Sequence, residues 1–225
     1  MLRLKLLKIL LFFMILMLTG CITDGNNPED DTVMGPDTEV QAYRYDKQVQ
    51  QYIDGTEKPD LAVLRDEYVT TEYYRPWDTT GVLQQMKTSD EKRDWISVAK
   101  LAEQNVSRYF VNIEFHYLAM KANKNLGNND KYLWHRKMLY DIVQEIMSRG
   151  NGKSLETAYR VISVSEEFVI MNFLGLRYSD QLAFPFEGHY YEQFLVEPNE
   201  FYNGRQIYFN VDIPMKWLES RKEEK

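Results

Sequence analysis

The sequence predicts an α+β fold, with an N-terminal helical stack followed by a small antiparallel sheet and one packed helix. Three observations predict it. Between residues 43 and 149 apolar side chains recur at helical spacing. At Gly150-Asn151-Gly152 that period stops. Beyond residue 158, short runs rich in aromatic and β-branched residues alternate with turn residues around one capped helical stretch. The 225 residues, 44% hydrophobic and 14% aromatic, supply a core for one domain or two small ones. A formal charge of -7 argues against nucleic acid as a partner.

The chain opens on an address. Arg3, Lys5 and Lys8 precede an unbroken apolar run of ten residues from Ile9 to Leu18, and Leu18-Thr19-Gly20-Cys21 follows. A basic start and a short apolar run before small residues are the parts of a secretory signal, and the run is too short for a comfortable membrane span. Leu-Thr-Gly-Cys resembles the lipobox of bacterial lipoproteins. The resemblance implies a signal peptide over 1–20 and lipidation of Cys21 by a diacylglyceryl group, with palmitate among the acyl chains. It also explains a lone cysteine, which leaves no disulfide, no thiol nucleophile and no Cys-based zinc site. Cleavage before Cys21 removes three basic residues and no acidic ones, taking the charge from -7 to -10. The expected product is a body held at the membrane through the lipid on Cys21, in the cell envelope. Ile22, where an aspartate would favour inner-membrane retention, points to the outer membrane, on its periplasmic side or surface.

Residues 21–42 hold many acidic residues, Asn, Gly and Pro and few large apolar groups. Such a stretch cannot bury enough surface to offset its ordering entropy, so it reads as a disordered acidic tether. The helical subdomain is expected over 43–149. Asp60 or Pro59 opens a helix with Leu61, Leu64 and Tyr68 on one face. Thr70 to Asp78 breaks the pattern, since Pro76 forces Arg75 out of helix geometry. A short helix follows over Gly81–Lys87. Ser89 then caps a longer one, Asp90 to about Tyr109, with Trp95, Val98, Ala99, Ala102 and Val106 as its stripe.

Asn112 caps the next helix and Gly127 ends it. Ile113, Tyr117 and Met120 mark one apolar side of it, and Phe115, Leu118, Ala119, Ala122 and Leu126 the other. A helix apolar on two sides lies between two neighbours. Asp130 begins the last helix of the stack, where Tyr132, Leu139, Ile142, Val143 and Ile146 fall together. The stretch Ile113 to Leu139, with its turn Leu126-Gly127-Asn128-Asn129-Asp130, resembles one tetratricopeptide unit. The pattern is incomplete, and an ordinary helical hairpin fits the same residues.

Residues 150–225 form the expected α+β subdomain. Ala158 to Ile162 is short and β-rich. Ser163-Val164-Ser165-Glu166 reads as a capping box before a helix running to Leu174. β-like runs follow near Gln181–Phe186, at His189–Val196 and at Gln206–Val211, then a short terminus at Trp217-Leu218. Gly188 and Asn203-Gly204 mark the turns, and Ile207, Phe209 and Val211 share a face. Several segments occur together in order: Gly150 to Glu167, Leu174-Gly175-Leu176, Gly188-His189-Tyr190-Tyr191, Tyr208 to Asp212, and Tyr68 to Asp78 ahead of the helices. Over about residues 45–218 this order resembles a bacterial domain family of unknown function, number 4919. The resemblance implies an exported or envelope protein with a helical part before a sheet. It assigns no activity.

Few residues are candidates for chemistry. His116 and His135 lie on successive helices and read as packing or hydrogen-bonding groups, since no third ligand is in view and no His-Glu-x-x-His occurs. No metal site and no cofactor is therefore expected. His189 stands at a strand start after Gly188, with Tyr191 on the same side, and reads either as a turn histidine or as an acid–base or ligand group. Glu166 reads as a cap and Glu167 as a carboxylate facing the sheet, because neighbours on a helix diverge by about 100°. No Gly-x-Ser-x-Gly elbow is present, and Gly150 to Ser154 lacks phosphate-loop spacing. Tyr74 and Trp77, with Tyr73 and Pro76, put large aromatics in a loop, either folded back on the helices or open as a contact patch.

The candidate binding residues are thus His189, Tyr191, Glu167, Trp77 and Tyr74, and no residue is marked as catalytic. The favoured function is a non-enzymatic protein- or ligand-binding module of the envelope, with an envelope protein as partner. The alternatives are a hydrolase-like enzyme using His189 and Glu167 on the C-terminal sheet, and a structural envelope component.

Overall fold

A computed structural model describes the backbone of residues 36–223, apart from 57, 59 and 78, and the side chains of 43–222 with the same exceptions. The expected signal peptide, Cys21 and most of the expected tether lie outside the described residues.

The first helix, α1 (Pro36–Ile53), opens on Pro36, whose ring suits a first helical turn. It therefore takes in residues 36–42, the end of the segment read as tether. Tyr45 and Val49, four apart, are both fully buried. The second, α2 (Leu61–Tyr68), is capped by Asp60, whose carboxylate accepts from the Ala62 and Val63 N–H groups. Its buried side carries Leu64 and Tyr68, and Arg65 as well.

Next come α3 (Val82–Glu91) and α4 (Trp95–Asn105). The break between them differs from the expected one. Arg93 adopts φ 58 and Asp94, not Ser89, caps α4 by accepting from Ser97 N–H. Asn112 caps α5 (Ile113–Leu126) through Phe115 N–H, and Gly127 ends it at φ 72. After two residues α6 (Asn129–Ser148) packs back along α5.

The β part begins with β1 (Tyr159–Arg160), followed by α7 (Val164–Phe173), β2 (Tyr178–Phe186), β3 (His189–Val196), β4 (Gln206–Asn210) and α8 (Asp212–Glu223). The sheet order is β1-β4-β3-β2. The strands β2, β3 and β4 pair antiparallel, but β1 runs parallel to β4, with Tyr159 opposite Phe209. The sheet is thus mixed rather than antiparallel, because the chain reaches β1 from the helical layer and returns through α7 and the hairpin. Glu187 at φ 50 and Gly188 at φ 81 make the two-residue turn between β2 and β3. The expected short terminus is a full helix, α8.

Three apolar clusters fill the body. One joins Ile142, Val143 and Ile146 of α6 to Ile170 and Met171 of α7 and to Phe194, Ile207 and Phe209 of the sheet. A second gathers Tyr45, Leu64, Tyr68, Tyr74, Phe110, Met138 and Ile162. The third sets Met86, Val98 and Ala102 against Phe115, Leu118, Ala119 and Ala122. With Ile113 in the first cluster and Phe115 in the third, α5 does lie between two neighbours. Tyr117, read as part of one apolar side, is 45% exposed, so that side is narrower than its sequence suggests.

The first two clusters cross the boundary drawn at residue 149, and the described residues belong to one compact unit. Gly152, just past that boundary, is needed as glycine. At φ +67 it lies so near the Tyr159 ring that a Cβ would fall 2.7 Å from Cε2.

Candidate functional site: the two faces of the sheet

Strand alternation divides the candidate residues. In β3 the side chains of Tyr190, Glu192, Phe194 and Val196 point to one face and those of His189, Tyr191, Gln193 and Leu195 to the other. The first face is inner, since Phe194 meets Phe168 of α7 with ring centroids 6.0 Å apart. On the outer face, register sets Phe186 beside His189, Phe184 beside Tyr191 and Leu182 beside Gln193. The rings of Tyr191 and Phe184 lie 6.1 Å apart, and those of Tyr191 and His189 6.3 Å. Leu182, Phe186 and Leu195 are left 56%, 47% and 38% exposed. Their outward phase has no helical stripe to pack on, which is why large apolar groups remain at the surface.

His189 stands at one end of this face. Its Nδ1 lies 2.5 Å from Asp212 Oδ2, and Asp212 Oδ1 accepts from Tyr190 N–H at 2.6 Å. Asn210 Nδ2 donates to the same carboxylate at 3.3 Å. Burial works to raise the Asp212 carboxyl, but bonds from His189, Tyr190 N–H and Asn210 outweigh it and hold the group below its ordinary range. An ionised Asp212 fixes the proton of His189 on Nδ1. Nε2 is then the basic atom, on a side chain 53% exposed.

Glu167 is separated from this pair by the sheet. It faces the inner side, fully buried, beside Glu192. The trio His189, Tyr191 and Glu167 therefore does not assemble, because the pleat sends alternate residues of β3 to opposite faces.

Glu166 also departs from its expected role. Ser163 makes no side-chain cap bond, and Glu166 instead pairs with Arg65 through both oxygens while accepting from Ile162 N–H at 2.8 Å. Arg65 Nε also meets Glu145 at 2.9 Å, and Arg149 meets Glu145 at 2.6 Å. Arg65, Glu145 and Arg149, with Asp66, Arg160 and Ile213, line a small cleft. Its arginines are already paired with its carboxylates, so it offers no free charge to a ligand.

The aromatic loop folds back. Tyr74 is buried and donates to Ile162 C=O at 2.7 Å, so it is a core residue and not a surface contact. Trp77 is half-buried, with Nε1 donating to Pro214 C=O at 3.3 Å.

His116 and His135 meet inside the helical layer, Nδ1 to Nδ1 at 3.0 Å, and His116 Nε2 lies 2.8 Å from Phe110 C=O. A carbonyl only accepts, so His116 carries its proton on Nε2 and its Nδ1 accepts from His135. Burial, with the neighbouring His135, pushes His116 down to about 3, and burial with Lys131 pushes His135 down to about 4. Among the described residues no group of three or more His, Cys, Asp or Glu side chains is placed to hold a metal ion. Among them, too, no helix is long and apolar enough to cross a membrane.

The pattern described as a domain of unknown function (DUF4919) matches residues 55–220. The chain belongs to the DUF4919 family. The DUF4919 segment starts in the turn after α1 and stops inside α8, so it holds α2 to α6 and the whole sheet. No curated protein and no solved structure matches the chain.

Sequence reasoning missed two residues of this DUF4919 domain. Glu192 carried a readable signal, as a charged residue in the inward phase of Tyr190, Phe194 and Val196. Asp212 carried a weaker one, as an acidic residue opening a helix. Nothing in its spacing linked it to His189.

Proposed function

We propose that this protein is a lipid-anchored, non-catalytic binding module of the bacterial envelope, whose sheet takes an extended segment of a partner protein. The observation that carries the reading is the outer sheet face, with Leu182, Phe186 and Leu195 exposed beside Tyr191 and His189. The strand β2 is also a sheet edge, free to pair through its backbone on one side. Its only charged residue is Asp180, and the turn beyond it holds Glu187. An apolar segment with basic flanks fits that edge, in keeping with a chain of charge -7. Lipidation at Cys21 holds the body at the outer membrane, and the α5–α6 hairpin serves as a tetratricopeptide-like support behind the sheet.

The test is photo-crosslinking in intact cells, with the full chain carrying the crosslinker at 182 or 186, or at 96 as a control. Ile96 is 72% exposed but lies on α4. One partner is expected at 182 and 186, none at 96, and the product is expected to fall at least several-fold when Asp180 and Glu187 are replaced by lysine. Equal capture at all three positions, or capture indifferent to the lysines, removes the reading. A product of two copies of this chain reassigns the face to self-association.

A second reading, a hydrolase, rests on the His189–Asp212 pair, which has the orientation of a general base. It calls for turnover of simple aryl esters or phosphodiesters that His189→Ala abolishes. No turnover by the wild-type chain would end it.

A further inference from the structure

Glu166 and Glu167 occupy the first turn of α7 and diverge by about 100°, so they meet different neighbours. Glu166 finds Arg65. Glu167 finds the inner face of the sheet, where it is 0% exposed and Glu192 is 4% exposed. Among the described residues, none gives an N–H or O–H to either Glu167 oxygen. Glu192 Oε2 accepts from Gln181 Nε2 at 2.5 Å, which leaves its other oxygen for Glu167.

Charged and titratable groups of several elements lie around the pair. On α7, Glu166 is bound to Arg65, which reaches in from α2 and also holds Glu145 of α6. On α5, Glu114 accepts from Ser165 and pairs with Lys87. On β2, the Tyr178 ring packs on Phe168 and Phe194. No cation faces Glu167 among the described residues. Two buried carboxyl groups side by side without a cation cannot both ionise, whereas one proton between them satisfies both.

We propose that Glu167 and Glu192 form a one-proton site, in which the Glu167 hydroxyl donates to Glu192 and fastens α7 to the sheet. Loss of that proton sets two negative charges against each other at the join and loosens it. Burial first, then Glu192 and Glu166, hold the Glu167 carboxyl well above its ordinary value of 4.5. The direction of the pH effect follows. The folded state keeps a proton that the unfolded chain gives up near pH 4.5. The stabilisation is complete below that value and is lost as pH rises towards the folded-state value.

Thermal unfolding of the full chain between pH 6 and 9, with the infrared carbonyl band of a protonated carboxyl, tests the site. The wild-type midpoint is expected to fall by roughly 10 °C across that range. Glu167→Gln, which keeps the shape and a donor, is expected to fall by less than half as much and to lose the carbonyl band seen at pH 7. Glu192→Gln, which leaves Glu167 buried but removes its charged neighbour, is expected to flatten the profile in part. A wild-type profile as shallow as that of Glu167→Gln, or no protonated-carboxyl band at pH 7, overturns the proposal. So does a midpoint at pH 8.5 that calcium raises and a chelator lowers in wild type but not in Glu167→Gln, since a cation would then fill the site.

Discussion

Arg65→Met is expected to cost about 3–5 kcal/mol of folding stability, the largest single-residue effect outside the apolar clusters. Arg65 is 5% exposed and donates to both oxygens of Glu166 and to Glu145. Methionine fills much of its volume but leaves Glu166 without its cation and Glu145 with Arg149 alone. Burial already holds Glu145 above its ordinary range despite Arg65 and Arg149, so it has little margin when Arg65 is gone. Urea unfolding of wild type, Arg65→Met, Glu166→Gln and the double variant measures the coupling. The double variant is expected to recover part of the loss, because Glu166 no longer brings a charge into the core. A loss below about 1 kcal/mol for Arg65→Met would place the network in the class of surface ion pairs.

Acid is expected to destabilise the helical layer through His116 and His135. Both are neutral in the fold, at about 3 and about 4, against 6.5 for a free imidazole. The unfolded chain takes up protons below pH 6.5 that the folded chain refuses. The stabilisation is therefore whole above pH 6.5 and drains away as pH falls towards the folded-state values. Between pH 7 and pH 4 the two groups together account for roughly 6 kcal/mol. His135→Asn keeps a donor for His116 Nδ1 and removes one titrating ring. Its stability, measured by urea unfolding at each pH relative to pH 8, is expected to fall about half as far. Equal losses in both proteins would show that other groups govern acid unfolding.

The helical part was legible because its signals are local. Asp60, Asn112 and Gly127 act within four residues of themselves, and the Val98–Ala102 and Ile142–Ile146 stripes follow one helix at a time. The inner sheet residues Ile207, Phe209 and Val211 were legible for the same reason, through strand alternation. What escaped depends on contacts between distant segments. Ser163 and Glu166 satisfy the capping-box pattern, yet an arginine about a hundred positions earlier outcompetes the local bond. The sequence left Tyr74 and Trp77 either folded back or open, and only the distant carbonyls of Ile162 and Pro214, which accept from them, decide it. The site suffered most, since two of its groups, Asp212 and Glu192, are defined only once the strands have paired.

The pairing of β1 with β4 also decides when in the life of the chain the fold can close. Tyr159 and Arg160 have no strand partner until Phe209 and Asn210 have been made and have come alongside. A chain still emerging from the ribosome therefore holds Tyr159, Val161 and Phe194 against an unfinished sheet until Phe209 and Asn210 arrive. The helical layer can collect itself early. The sheet is a late event, and the interval between the two is when a nascent chain of this family is most exposed to wrong pairing and to holding chaperones.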